Sequence, residues 1–149
     1  MRAIIGAGDV GSRVAEELDH EGWDIVIIDH NEQAIAAIEE RLDVQAIVGN
    51  GTHLPTLEAA GIGSADLLIA VTDLDEKNIL SCVFAKEYGV PKKIARVRGV
   101  TEIQSPSPFV TGTKLGIDEV FDPGRMLVDE IVRFIQTPGA SHIVDFAGR

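Results

Sequence analysis

Short apolar runs of strand length alternate with segments of helical period along almost the whole chain, and this alternation leaves few folds open. Ala3–Gly6 (AIIG) and Asp24–Asp29 (DIVIID) are near-continuous apolar runs, the mark of strands buried on both faces of a sheet. Between them Val10, Val14 and Leu18 recur at every fourth residue and share one helix face, which Gly22 is placed to end. Asn31 can cap a second helix whose inner stripe is Ile35, Ile38 and Leu42. Further strands are expected over Val44–Gly49, Asp66–Thr72, Lys92–Arg98 and Asp118–Asp122. A short helix with Thr52 as its cap and Pro55 in its first turn, and a longer one over Asp75–Gly89, fall between them. The Ser-Pro-Ser-Pro of Thr101–Gly116 predicts mainly loop there, and a final helix is expected over Arg125–Gln136. Short links between strands and helices imply right-handed crossovers. The expected fold class is therefore α/β: a Rossmann-like, doubly wound parallel sheet of about six strands with helices on both faces.

Composition narrows the partners. A chain of 149 residues with 45% hydrophobic content can bury the core of one domain. Its net charge of −11 argues against nucleic acid and acidic lipid, which select for clustered Lys and Arg. The single cysteine, Cys82, excludes a disulfide framework, fits a reducing cytosol, and reads as a buried small hydrophobe. The first apolar run is too short for a secretory signal, and no segment approaches the roughly 18 apolar residues that insertion into a bilayer requires. His20, His30, His53 and His142 show no metal-ligand spacing, so no metal site is expected.

The turn between the first strand and first helix carries Gly6, Gly8 and Gly11. In such a motif the first glycine permits a tight turn, the second lets backbone approach a pyrophosphate, and the third lets helix and strand pack closely. The helix N-terminus then offers free N–H groups and a partial positive charge to phosphates. Asp29 lies 29 − 11 = 18 residues beyond the last glycine, near the offset at which a carboxylate takes ribose hydroxyls. It would also repel a 2′-phosphate, favouring NAD or an adenine nucleotide over NADP. The competing reading, a glycine-rich turn without a ligand, is weakened by the strand before the motif and the acid after it.

Two later segments, Gly49–Thr52 (GNGT) and Val71–Asn78 (VTDLDEKN), end strands and should face the nucleotide, because ligands in open α/β sheets lie beyond the carboxyl ends of strands. For Asn50 and Thr72 ligand contact and ordinary turn chemistry both remain open. Asp75 and Glu76 are read as charges that meet a helix dipole. Arg96 and Arg98, two apart, point to one side if both lie in a strand. Each needs an anion, a nucleotide phosphate or a neighbouring carboxylate.

Taken in order, "IIGAGDVG", "VIID", "VQAIVGNGT", "ADLLIAVTDLDEKN", "IARVR" and "GIDEVFDPGRMLVDEIVRFIQTPGA" resemble the N-terminal lobe of TrkA-type regulatory subunits of potassium uptake, the KTN or RCK domain. The resemblance covers nearly the whole chain. It implies a cytosolic, nucleotide-sensing regulatory subunit, peripheral to the inner face of the cell membrane, that gates a potassium-translocating membrane protein. It implies NAD(H), or alternatively ATP/ADP, as ligand, and Gly6, Ala7, Gly8, Asp9, Val10, Gly11, Asp29, Asn50, Thr72, Asp73 and Arg96 as ligand positions. Arg98 matches an arginine that meets the terminal phosphates in relatives. Two features depart from the family pattern. Residues 105–114 (SPSPFVTGTK) do not look like its usual helix, and Asp9 places a negative charge near the phosphates.

On this reading residues 1–137 form the nucleotide-binding domain, and 138–149 are a linker and the start of a truncated C-terminal lobe. The alternative is an NAD-dependent oxidoreductase domain or fragment. It is disfavoured because the expected strands and helices consume almost every residue, leaving no substrate domain and no histidine placed as a general acid. A homo-oligomer, dimer or ring, is also expected. In the final helix Leu127, Val128, Ile131, Val132, Phe134 and Ile135 cover an arc of about 160°, wider than the roughly 100° stripe one core requires. The resemblance places this helix at a subunit contact.

Overall fold

A computed structural model describes residues 1–98, 114–121 and 128–136. The expectations for the Ser-Pro loop at residues 101–113, for residues 122–127, for the linker and second lobe at 137–149, and for the side chains of Val128 and Phe134 lie outside the described residues.

Six parallel strands form one sheet: β1 (Arg2–Ile5), β2 (Ile25–Asp29), β3 (Gln45–Val48), β4 (Leu67–Ala70), β5 (Lys92–Arg96) and β6 (Glu119–Phe121). Their order is β3-β2-β1-β4-β5-β6. The doubly wound, Rossmann-like expectation holds. Chain order reverses between β1 and β4, and such a reversal opens a crevice at the carboxyl ends of the two strands.

The central strands alternate between two cores. Ala3, Ile5, Val26, Ile28, Leu68 and Ala70 point to one face. There they meet Leu57 of α3 (Leu54–Ala59), Ile62 of a 3-10 turn (Ile62–Ser64), and Cys82 and Ala85 of α4 (Asp75–Glu87). Ile4, Ile25, Ile27, Leu67 and Ile69 point to the other face. They meet Val14, Ala15 and Leu18 of α1 (Asp9–His20), Ile35 and Ile38 of α2 (Glu32–Arg41), and Ile131, Val132 and Ile135 of α5 (Val128–Gln136). At about 1.5–3 kcal/mol for each fully buried large aliphatic side chain, these two layers supply the main driving force for the fold.

Local signals act as expected at several ends. Gly22 leaves α1 with φ +84°, and the Asn31 side chain caps α2 by accepting from the N–H groups of Gln33 and Ala34 at 2.9 and 3.0 Å. Thr52 is not the cap of α3. Asn50 Oδ1 accepts from both the N–H and the hydroxyl of Thr52, at 2.9 and 2.7 Å, and this turn leaves His53 in the cap position. The strands are also shorter than their apolar runs. β4 stops at Ala70, where the residues that follow turn toward the crevice, and β5 stops at Arg96.

Candidate functional site

The crevice is a cavity of about 510 Å³, within the range of small-molecule sites. Gly6, Gly8, Asp9 and Val10 approach it from the β1–α1 turn, and Asp29, His30 and Asn31 from the end of β2. Val71, Thr72 and Asp73 close it beyond β4, and Arg96 beyond β5. A smaller cavity of about 70 Å³ adjoins it, lined by Asn50, Gly51, Thr52 and Lys77 and sharing Asp29, His30, Thr72 and Asp73. Nine of the twelve expected ligand positions therefore line these cavities; Ala7 and Gly11 belong to the glycine motif without lining either, and Arg98 stands apart. Arg98 lies two residues past the end of β5, exposed, and lines neither cavity; its backbone N–H donates to Asp75 Oδ2 at 2.9 Å. Asp75 thus anchors the chain leaving β5, beyond meeting its own helix dipole.

The three motif glycines have distinct duties. Gly6 adopts φ +110°, and a Cβ there would sit 2.9 Å from the backbone N of Thr72. At Gly11 a Cβ would fall 1.8 Å from the carbonyl oxygen of Gly6, so only glycine lets α1 start this close to the turn. At Gly8 nothing lies within 4 Å of such a carbon. Packing within the chain therefore does not require glycine at that position. Its neighbour α1 has no side-chain cap, so the N–H groups of its first turn are left to solvent or to an anion.

Asp29 braces the turn. Its Oδ2 accepts from the Ala7 N–H at 2.6 Å and its Oδ1 from the Asn31 N–H at 2.8 Å, with His30 Nδ1 at 3.4 Å. One carboxylate at the tip of β2 therefore holds both the glycine turn and the start of α2. A carboxylate offers about four acceptor sites, so lone pairs remain for a ligand hydroxyl. Asp29→Ala strips the acceptor from the part-buried Ala7 N–H and is expected to destabilise the domain by about 1–2 kcal/mol in urea unfolding.

Across the cavity, Arg96 carries a buried Nε with no hydrogen-bond partner, and among the described residues no carboxylate pairs with its guanidinium. A buried N–H without an acceptor is costly. An anion in the cavity would relieve it, and facing it stands the open N-terminus of α1. The residues present therefore suit a phosphate-bearing ligand.

Sequence reasoning missed Asn78. This fully buried side chain accepts from the Thr72 N–H (2.9 Å) and hydroxyl (2.7 Å), and donates to the carbonyls of Thr72 (3.0 Å) and Arg96 (2.9 Å). It locks the ends of β4 and β5 together and so aims Arg96. The signal was present, since Asn78 shares the helix face of Cys82 and Ala85, a polar residue in an apolar stripe. The turn-chemistry reading of Thr72 and Asn50 describes the internal bonds observed, although both residues also line a cavity. His30, Asn31 and Lys77 are additional lining residues. Among the described residues no cluster could hold a metal ion. Cys82 is buried, and burial pushes its thiol well above the usual range, which leaves it inert. No helix among the described residues is long and apolar enough to cross a membrane.

Several known proteins are similar to this chain. The "Trk system potassium uptake protein TrkA" of Halomonas elongata is 36% identical over 146 residues, covering 97% of this chain and 32% of its own length. The chain thus spans about a third of that relative. The TrkA-N domain of the inner membrane protein ybaL from Escherichia coli superposes with a TM-score of 0.72 at 23% identity, covering 90% of this chain and 92% of that one. The GsuK channel bound to NAD gives a TM-score of 0.67 at 18% identity, over 82% of this chain and 21% of that one. Residues 2–123 match the family model described as the TrkA-N domain, and the chain belongs to that family.

Proposed function

We propose that this chain is a nucleotide-sensing domain that holds NAD(H) between the glycine turn and Arg96 and passes its bound state to a potassium-translocating membrane protein. The observation that carries the reading is the unpartnered Arg96 Nε facing an uncapped helix terminus across a cavity of about 510 Å³. The phosphates would lie against Gly8 and the first turn of α1, with Arg96 as counter-charge, and the ribose hydroxyls would reach Asp29. Bound nucleotide supplies no chemistry here beyond its charge and shape. It would draw the β1–α1 turn and the ends of β2, β4 and β5 onto one ligand, and that change in rigidity or spacing would be the signal. The potassium-uptake name of the Halomonas relative and the NAD bound to the GsuK channel support this reading. It places the chain in the cytoplasm, attached to the membrane through its partner. ATP or ADP is the second candidate ligand.

The test is calorimetric titration of the purified chain with NAD⁺, NADH, ATP and ADP. Saturable binding of at least one is expected, weakened by about 1.5–3 kcal/mol in Asp29→Ala, the range for hydrogen bonds to a charged group. Absence of binding by all four overturns the proposal. Loss of NADH absorbance on adding a 2-oxo acid, if saturable, would favour the oxidoreductase alternative.

The proposal extends to self-association as a dimer or ring. Its support is the apolar arc of about 160° read from the sequence of the final helix, wider than the roughly 100° stripe one core requires. Phe134→Glu is expected to shift the light-scattering mass down to that of a monomer; a monomeric unaltered chain at micromolar concentration contradicts this extension.

A further inference from the structure

The charges around the cavity do not suit every phosphate ligand equally. Three carboxylates line it, from Asp9, Asp29 and Asp73, against one guanidinium, from Arg96, and the imidazole of His30. Lys77 belongs to the smaller cavity beside it. The three acids are not equivalent. Asp29 accepts from two backbone N–H groups, which answer much of its charge. Asp73 approaches from the loop after β4 and not from α1. Asp9 is the first residue of α1, adjacent to Gly8, exposed, and its carboxylate has no partner among the described residues. Any phosphate received by the first turn of α1 would therefore meet a fixed negative charge on that same turn.

Resting on the nucleotide reading above, we propose that Asp9 is a specificity-determining residue that turns the cavity toward dinucleotides of low charge such as NAD⁺ and against nucleoside triphosphates. Coulomb repulsion scales with ligand charge, about −2 for the pyrophosphate of a dinucleotide and about −4 for a free triphosphate near neutral pH. The penalty from Asp9 therefore falls more heavily on the triphosphate, while contacts to the adenosine ribose are common to both. Because Asp9 is solvent-exposed, the discrimination should shrink as salt is added. The bland role of an acid at this position is to meet the helix dipole. That role predicts a small loss of stability on neutralisation and no change in ligand preference, so the two are separable.

The experiment is titration of the unaltered chain and of Asp9→Asn and Asp9→Lys with NAD⁺ and with magnesium-free ATP, at low and at physiological salt, beside thermal melts. Asp9→Asn is expected to improve ATP binding about tenfold at low salt while NAD⁺ changes less than about threefold, with Asp9→Lys going further in the same direction. The ratio should narrow at higher salt. NAD⁺ binding with an unchanged ATP-to-NAD⁺ ratio in both folded variants overturns the role of Asp9 and leaves the functional reading standing. Failure of the unaltered chain to bind any nucleotide overturns the functional reading, and this inference with it.

Discussion

Asn78→Asp is expected to destabilise the domain by about 3 kcal/mol or more at pH 8, measured by urea unfolding. The amide nitrogen of Asn78 donates to two backbone carbonyls, of Thr72 and Arg96, from a fully buried position. An ionised carboxylate there has no proton to donate and points an oxygen at two carbonyl oxygens. Two donors are lost at about 1–1.5 kcal/mol each, and a charge is buried without a counter-ion. The pH dependence has a definite sign. Burial and the facing carbonyls favour the protonated acid, so the folded-state pKa of the new carboxyl would stand above its unfolded value. A raised folded pKa means that stability is greatest at low pH and is lost as pH rises through that value. The variant should therefore regain part of its stability at pH 5. Asn78→Leu provides the complement, with a similar loss and no such recovery. A variant within about 1 kcal/mol of the unaltered chain would show that the lock between β4 and β5 is dispensable.

Two substitutions in one motif are expected to fail in opposite ways. Gly11→Ala places a carbon 1.8 Å from the Gly6 carbonyl oxygen, a backbone atom that cannot swing aside. Either α1 moves off the sheet, pulling Val14, Ala15 and Leu18 out of their core, or the turn around Gly6 rearranges. A loss above about 3 kcal/mol is expected, in the class of overpacked cores. Gly8→Val meets no protein atom within 4 Å at its Cβ, and Gly8 has φ −75°, which any residue can adopt. That variant should melt within a few degrees of the unaltered chain, yet its side chain fills the space assigned to the pyrophosphate and should abolish nucleotide binding. Circular dichroism melts beside calorimetry separate the two outcomes. A folded Gly8→Val that binds as tightly as the unaltered chain would remove the glycine turn from the ligand site.

The sequence by itself determined the elements and the faces they bury. Its short continuous apolar runs and its period-3.6 apolar patterns located all six strands and the described helices, because burial of neighbouring side chains is a local consequence of backbone geometry. It also marked Gly6, Gly8, Gly11 and Asp29, whose spacing is short enough to read along the chain. Only the tertiary structure decided which strand ends meet. Asn78 reaches Arg96 across 18 residues and Asp29 reaches Ala7 across 22. The same strand pattern left Arg96 and Arg98 equivalent, until β5 ended at the first of them and placed only that one in the cavity. Such contacts depend on sheet order and on where each strand stops. Both are set by packing between segments distant in sequence, which no local periodicity encodes.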